Sequence, residues 1–310
     1  MTSGSFRRVA ATAGVVAAGV TAWSTLIEPR LFTLRRHTLP VLPDGAAPVR
    51  VLQLSDLHLA PWQHRKIEWV RSLVELAPDL VVLTGDLMGH AEARPDLLRA
   101  LEPFGAADVP VVFVYGSNDY YGPRAKNPMK YLQAPSRLHT REPDIDTDRI
   151  TRAFTDQGFI DLNNAATRIT IRGTEFDLFG LNDPHVSFHD IPAMRTAIGN
   201  LPPAAGVSAP VRLGVVHAPY QEALGALLDE EASVIFAGHT HGGQVRVPFA
   251  GALTANCDLP TDQARGLSVW FDAEHAAYLN VSAGLGASIY SPVRFCCRPE
   301  ASLLTLEPPR

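Results

Sequence analysis

The chain of 310 residues has little of what would mark several common classes of protein. It has only three cysteines, two of them adjacent, and no CxxC pair, which argues against a disulfide framework and against a structural zinc ribbon. No internal repeat is visible. The net charge is −5, whereas a nucleic-acid-binding surface is usually accompanied by a basic excess, so no nucleic-acid partner is expected.

An uncharged stretch follows Arg7 and Arg8 and extends over residues 9–27. It is about long enough to span a bilayer, although it is rich in Ala and Gly rather than Leu. Charged residues end it at Glu28 and no convincing cleavage site follows, so we favour a single-pass membrane anchor over residues 1–27. A cleaved export signal and a buried helix of a soluble protein stay open. Arginines on both sides leave the orientation, and hence the side of the membrane, undetermined.

Residues 28–48 contain four prolines and a basic cluster, and they are predicted to be an extended linker between anchor and domain. From residue 49 apolar runs alternate with helical periodicity, which predicts an α/β domain over 49–310. The predicted strands are 49–54, 80–83, 111–115, 169–171, 175–179, 212–216, 234–237, 278–281 and 303–306, and the predicted helices are 65–76, 95–104 and 221–228. Residues 122–150 lack periodicity and are predicted to be a long irregular excursion.

Residues that favour metal ions follow five of these apolar runs. They are Asp56 and His58, Asp86, the segment Gly116-Ser117-Asn118-Asp119, His217, and the pair His239 and His241. Ligands bind at the carboxyl ends of the strands in an open α/β sheet, so these distant segments are expected to converge. On an extended strand end, residues i and i+2 point the same way, so Asp-x-His and His-x-His each offer two donors to one ion.

The order of these motifs, which ends in Gly-His-Thr-His-Gly-Gly-Gln over 238–244, resembles the calcineurin-like metallophosphoesterase superfamily. Within it, the chain is similar to bacterial membrane-anchored or exported phosphodiesterases. The resemblance covers about residues 49–306. It implies an α/β fold, a four-layer αββα sandwich in which two mixed β-sheets are flanked by helices.

The resemblance also implies two divalent metal ions as cofactors. One ion would be held by Asp56, His58, Asp86 and His241; the other would be held by Asp86, the third-motif residue, His217 and His239. Asp86 would bridge the two. Two such ions lower the pKa of a shared water, and the resulting hydroxide attacks phosphorus. The mixed nitrogen and oxygen donors suit Mn, Fe, Zn or Co without choosing among them.

The third motif departs from the family pattern of Gly-Asn-His followed by Asp or Glu. Ser117 takes the place of the Asn ligand, and Asn118 takes the place of the His that assists the leaving group. We favour Asn118 as a ligand of the second ion; alternatively, Ser117 or water fills that position and Asn118 hydrogen-bonds the phosphate. Asn118 and Asp119 are the candidate catalytic residues, and Ser117, Tyr120 and His185 are candidate substrate contacts.

The implied function is a dinuclear metal-dependent hydrolase of phosphate esters, and we favour a phosphodiesterase at the membrane with a lipid or sugar-nucleotide substrate. Because the usual acid is missing, either the substrate has a leaving group that needs little protonation, or His185, His90 or His139 replaces that acid. Arg294 and Arg298 are further candidate contacts to the substrate. The altered motif supports one alternative, a catalytically weakened sensor or scaffold that binds metal and phosphate. A membrane-tethered nuclease lacks the expected basic balance.

Overall fold

The computed structural model describes residues 3–124, 142–206 and 208–309, with the backbone alone for residues 3–10. The helices are α1 (Ser3–Ala22), α2 (His64–Ser72), α3 (Arg94–Ala106), α4 (Ser117–Tyr120), α5 (Thr147–Thr155), α6 (Ile191–Gly199) and α7 (Gln221–Asp229). The strands are β1 (Thr33–Pro40), β2 (Val49–Leu54), β3 (Leu80–Thr84), β4 (Val111–Val114), β5 (Ile160–Asp161), β6 (Ala165–Ile171), β7 (Thr174–Leu181), β8 (Val211–Val216), β9 (Val234–Ala237), β10 (Arg246–Val247), β11 (Gly251–Ala252), β12 (Gly266–Phe271), β13 (Ala276–Val281) and β14 (Glu300–Glu307).

Most of these strands form two six-stranded sheets. The first has the order β1-β14-β2-β3-β4-β5, with β2 to β5 parallel and β14 antiparallel to β2. The second has the order β12-β13-β9-β8-β7-β6, with four parallel strands between two antiparallel edges. Central strands such as β3 are buried at every position, because both faces of each sheet are covered. Each sheet contains both parallel and antiparallel pairs, so both sheets are mixed.

Successive side chains of a strand point to opposite faces of the sheet and pack in different apolar clusters. Val82 of β3 lies in the apolar cluster between the sheets together with Phe236 of β9, whereas its neighbour Val81 packs under the outer helices with Leu97 of α3. On the second sheet, Ile235 faces the cluster that contains α6 and α7. This alternation produces helix, sheet, sheet and helix layers. The four-layer αββα sandwich implied by the resemblance is confirmed.

The predicted linker over 28–48 is not a free spacer. Its residues Thr33–Pro40 form β1, which pairs in parallel with the whole of β14. Leu39 and Leu42 are buried in the cluster between the sheets. The prolines lie at or beyond the ends of this strand rather than within it, so they do not remove hydrogen bonds from the ladder. The sequence interpretation gave too much weight to proline content.

The predicted excursion over 122–150 also needs correction at its end. Helix α5 begins at Thr147, and the Asp146 carboxylate caps it by accepting a hydrogen bond of 3.0 Å from the Arg149 N–H. Residues 125–141, and with them His139, lie outside the described residues. Strand β12 and helix α6 were also missed by the sequence patterns.

A stretch of 20 residues, Ala11–Arg30, is long and apolar enough to cross a membrane, with a mean hydropathy of 1.2. It comprises most of α1, a π-helical turn at Trp23–Ile27 and a 3₁₀ turn at Glu28–Arg30. Only 11% of this stretch is buried against the rest of the chain. Such a helix can serve as an anchor or as an export signal on length and composition alone.

Candidate metal centre

The predicted ligands lie in loops at the carboxyl ends of β2 and β3 in the first sheet and of β8 and β9 in the second. The loops that follow neighbouring strands are also hydrogen-bonded to each other. After β2 and β3, the N–H of His58 donates to the carbonyl of Asp86 at 2.9 Å. The N–H of Gly238 donates to the carbonyl of His217 at 2.8 Å. Between the sheets, the His239 N–H donates to Asp56 Oδ2 at 3.1 Å. The site therefore requires both sheets.

Four donors from this set form one compact group. The ligand atoms of Asp56, His58, Asp86 and His241 all lie within 4.8 Å of one another. His58 Nε2 is 3.3 Å from His241 Nε2 and 3.4 Å from Asp86 Oδ2. His241 Nε2 is 3.8 Å from Asp56 Oδ1. The structure thus brings together the four residues that were predicted for one ion.

A second group lies on the other side of the Asp86 carboxylate. His217 Nε2 is 3.5 Å from Asp86 Oδ1, and the rings of His217 and His239 meet edge to face with centroids 5.2 Å apart. Asn118 spans the same carboxylate: its backbone N–H donates to Oδ1 at 2.8 Å and its Nδ2 donates to Oδ2 at 2.7 Å. Asp86 therefore lies between both groups, where a bridging ligand is required.

Most of these side chains are directed into the centre by a left-handed backbone conformation rather than by the alternation of an extended strand. Five of them have a positive φ: Asp56 (47°), His58 (39°), Asp86 (52°), His239 (67°) and His241 (50°). Such values are rare outside glycine, and they concentrate at functional sites, where each adds strain of about 1–3 kcal/mol. The expectation of extended strand ends was wrong, although the residues chosen from it do converge in the structure.

Two glycines allow the loops to approach the centre. A Cβ at Gly116 would overlap Asp86 Oδ1 and would lie 2.6 Å from His217 Nε2. A Cβ at Gly238 would overlap Ser55 Oγ and would lie 2.6 Å from Asp56 Oδ2. Any larger residue at these positions would displace a predicted ligand.

Burial sets the charge of the centre. Burial lowers the pKa of His58 to about 4, and it also holds the pKa of His241 well below the usual range, so both imidazoles are neutral at pH 7. Burial alone would raise the pKa of Asp86, but His217 and His58 outweigh it and hold this pKa well below the usual range. Neutral imidazoles beside an ionised carboxylate are the protonation states that bind divalent cations.

The surroundings of His217 are those expected of a side chain that binds a cation. Its Nδ1 lies 2.7 Å from the Thr84 carbonyl and therefore donates a proton to it. Its buried Nε2 has no hydrogen-bond partner among the described residues. Burial alone would lower the pKa of His217, but the carboxylates of Asp86 and Asp183 hold it well above the usual range. This position favours positive charge, and its inner hydrogen bond orients the ring as a metal ligand requires.

The structure does not support Asp119 as a catalytic group. Its carboxylate accepts three backbone N–H bonds, from Leu87 (2.8 Å), Met88 (2.9 Å) and Gly116 (2.9 Å). Asp119 therefore positions the second and third loops. Of the two accounts of the altered motif, the contacts favour Asn118 as a ligand. Its Nδ2 donates to Asp86 Oδ2, so the Oδ1 atom of Asn118 itself stays available to an ion. Ser117 Oγ is 3.5 Å from the Asn118 amide.

The predicted substrate contacts lie beside the second group. The ring of His185 stacks near that of His239 with centroids 4.5 Å apart, and its Nδ1 is 3.0 Å from the Tyr220 hydroxyl. The Tyr120 hydroxyl donates to Asn182 Oδ1 at 3.0 Å, and both residues line an open cavity of about 640 Å³. Arg294, in contrast, is 1% exposed and binds the carbonyls of residues 283 and 284, so it is not a phosphate contact.

Sequence reasoning missed Asp183. It is fully buried after β7, and Oδ1 accepts the His185 N–H at 2.9 Å. Its Oδ2 has no hydrogen-bond partner among the described residues, and burial raises its pKa to about 7. The signal was available, because Asp183 follows an apolar run in the segment from which only His185 was chosen.

A four-layer sandwich that gathers buried histidines and aspartates at its strand ends defines a metal-dependent phosphoester hydrolase. The model of the calcineurin-like phosphoesterase family matches residues 49–243. The chain belongs to this family, so the resemblance seen in the motifs is confirmed.

Three curated relatives match over most of their length. Phosphodiesterase YaeI of Escherichia coli (strain K12) is 28% identical over 90% of this chain and 90% of its own. An uncharacterized metallophosphoesterase, YkuE of Bacillus subtilis (strain 168), is 24% identical over 98% of this chain and 95% of its own. UDP-2,3-diacylglucosamine pyrophosphatase LpxG of Chlamydia trachomatis is 26% identical over 91% of each chain.

Proposed function

We propose that this chain is a dinuclear metal-dependent phosphodiesterase that acts at a membrane. The observation that carries the proposal is the position of Asp86. One of its oxygens faces His58 at 3.4 Å and the other faces His217 at 3.5 Å, so a single carboxylate serves two donor groups. A site for one ion would not need the second group.

Each ion has a defined set of donors in this proposal. Asp56, His58, Asp86 and His241 hold the first, and Asp86, Asn118, His217 and His239 hold the second. Bound there, two divalent ions supply charge neutralisation for the phosphate and activation of a water. The donor set of imidazoles and carboxylates fits Mn, Fe, Zn or Co.

The surrounding residues keep these donors in place. Asp119 ties the second and third loops together through three N–H bonds. The His239 ring is held by Asn256, whose backbone carbonyl lies 3.1 Å and whose side-chain Nδ2 lies 3.2 Å from Nε2. His185 and the Tyr220 hydroxyl form a hydrogen-bonded pair beside His239, and we assign to them contacts with the non-bridging phosphate oxygens or with the leaving group.

The apolar N-terminal helix and the relatives support the proposed substrate class. A helix that can cross a membrane keeps the site close to lipids. One relative is a phosphodiesterase and another a UDP-2,3-diacylglucosamine pyrophosphatase, which supports a phosphate ester on a lipid or on a sugar nucleotide. We therefore place this chain at the cell membrane, with such an ester as its substrate.

Turnover of a chromogenic aryl phosphodiester with Mn²⁺ tests the proposal on the full chain in detergent. Asp86→Asn keeps the size of the side chain but removes the bridging charge, so it should abolish turnover and reduce the bound metal measured by mass spectrometry. Asp229→Asn, which changes an exposed side chain on α7, is the matched control and should leave both unchanged.

The alternative function, a metal- and phosphate-binding sensor or scaffold, is favoured by one observation, the Asn118 amide in the place of the family's histidine. An amide does not titrate near pH 7, so it cannot act as a general acid. If the chain binds two ions and phosphate but hydrolyses neither aryl nor lipid phosphodiesters, the enzyme proposal fails and the sensor is supported.

A further inference from the structure

Exposed large apolar side chains are concentrated on one part of the domain. Among the described residues outside the N-terminal helix, eight large apolar side chains are exposed, and five of these belong to two neighbouring segments. They are Val245, Val247, Phe249, Leu253 and Tyr290, and together they are called the apolar face. Phe249 is fully exposed at the tip of the β10–β11 hairpin. Clustered apolar side chains of this kind mark an interaction surface.

The apolar face lies beside the base of the N-terminal helix. Val245 pairs with Phe295 in an isolated parallel bridge, and the Arg246 N–H donates to the Phe295 carbonyl at 2.9 Å. The residues on both sides of Phe295 bind the helix base: the Arg294 N–H donates to the Ser24 carbonyl at 2.8 Å. Segment 294–296 therefore lies between the hairpin and the helix base and contacts both.

The helix base is fixed to the domain rather than loosely attached. Glu28 is buried and accepts the Cys296 N–H at 3.1 Å and the Trp23 indole N–H at 2.7 Å. Trp23, Leu26 and Ile27 are exposed next to this contact. The helix base and the hairpin are thus both attached to segment 294–296, and both carry exposed apolar side chains.

Charge distinguishes this surface from the rest of the molecule. The segments that carry the apolar face and the helix base, 23–30, 245–253 and 290–298, contain four arginines and a single carboxylate, Glu28, in a chain whose net charge is −5. That carboxylate is buried, whereas Arg30 and Arg298 are exposed. Apolar side chains mixed with arginines and without exposed carboxylates fit an anionic lipid interface.

We propose that the apolar face lies against the bilayer that the N-terminal helix crosses, with Phe249 inserted among the lipids and the exposed Arg30 and Arg298 at anionic headgroups. The proposal rests on the membrane anchor of the proposed function. The shared contacts with segment 294–296 favour the bilayer over a soluble partner, because any occupant of the face must also accommodate the helix base.

This arrangement would bring the metal centre to the headgroup region. The hairpin starts shortly after His241, and the Arg246 guanidinium donates to the Gly242 carbonyl at 2.9 Å. The loop that carries two of the predicted ligands is thereby joined to the inserted element. A substrate phosphate located in the headgroup layer would then reach the site while its lipid tail stays in the bilayer.

Brominated lipids, which quench tryptophan emission on contact, test the proposal on the full chain in nanodiscs. Phe249→Trp is compared with Phe271→Trp, with the native chain as the baseline for the four native tryptophans. Phe271 is 70% exposed, and it pairs with Ala276 at the end of β13 opposite to the end that points to the metal centre. Both substitutions change an exposed aromatic residue, so the fold is preserved in each.

We expect the added emission at position 249 to be lost in brominated discs and protected from acrylamide, and that at position 271 to show the reverse. The loss of emission at position 249 should increase with the fraction of anionic lipid in the discs. Equal behaviour of both variants in disc-bound protein would overturn the proposal, as would quenching that requires several copies per disc. Failure of the chain to enter discs at all would instead contradict the membrane anchor, and neither result depends on catalysis.

Discussion

The two sheets contribute different chemistry to the metal centre. The first sheet carries both predicted aspartate ligands, Asp56 and Asp86, together with His58 and the amide of Asn118. The second sheet supplies imidazoles, His217, His239 and His241. Both predicted carboxylate ligands thus come from the first sheet, and three of the four predicted imidazole ligands come from the second. The centre is therefore a product of sheet packing, and this comparison can be tested by altering each side.

The largest effect is expected from removing one imidazole of the second sheet. His217→Gln and His241→Gln should each lower turnover by more than about 100-fold, the upper end of the loss for a mere outer-shell partner. Each variant should lose one of two ions, because the two histidines belong to opposite groups around Asp86. Bound metal per chain and turnover of an aryl phosphodiester are the measurements.

The matched control is His275→Gln, which alters a partly exposed histidine on the β12–β13 turn. If either ligand variant retained two tightly bound ions, the assignment of its histidine would be wrong. If both variants lost both ions, the two groups would act as one site rather than two.

Removal of the metal should weaken the packing of the sheets. Donors from both sheets share the ions, so metal stabilises the folded state by about 2.7 kcal/mol when its free concentration is 100 times the Kd. Thermal unfolding with Mn²⁺ and with a chelator measures this difference. Asp86→Asn is the control, and it should show little response to the metal. An equal response in both proteins would place the stabilising ion elsewhere.

The sequence predicted the layers, and the convergence of the polar residues at the strand ends, for a physical reason. Apolar runs such as residues 80–83 and 234–237 are buried on both faces, so their pattern depends little on tertiary context. Strand β1 was missed because its residues are partly exposed at an edge and its flanking prolines suggested a linker. The role of Asp119 could not be predicted, because its three N–H donors come from two loops that only the fold brings together.

A buried polar contact joins the sheets beneath the centre and gives a third test. Gln53 of β2 donates to the Ala237 carbonyl of β9 at 2.8 Å and accepts a hydrogen bond of 2.6 Å from Asn280 of β13. Gln53→Leu leaves these partners buried and unsatisfied, so it should lower the free energy of unfolding by about 1–3 kcal/mol. Urea denaturation of the metal-free protein measures this loss without the contribution of the ions.

Gln157→Leu changes an exposed glutamine after α5 and should have an effect within about 0.5 kcal/mol. If Gln53→Leu were as stable as the native chain, the polar contact would be replaceable by apolar packing. In that case the two sheets would be joined by their apolar cluster and by the ions alone.

The smallest effect is expected at Asp183, the carboxylate that the sequence interpretation overlooked. Asp183 is a buried acid on the second sheet, which carries no predicted carboxylate ligand. Its negative charge raises the pKa of His217. Asp183→Asn keeps an acceptor for the His185 N–H but removes this charge. A cation beside His217 should then bind about tenfold more weakly, near the lower end of the loss for outer-shell partners.

Competition with a metallochromic dye resolves the two ions in this experiment. The first ion should bind as in the native chain, since Asp56, His58 and His241 are untouched, and only the weaker step should shift. Asp190→Asn is the control, because Asp190 caps α6 through the Ala193 N–H and is exposed. A shift in both steps would mean that Asp183 acts on the centre through the fold. No shift would mean that the charge of Asp183 does not contribute to the binding of a cation beside His217.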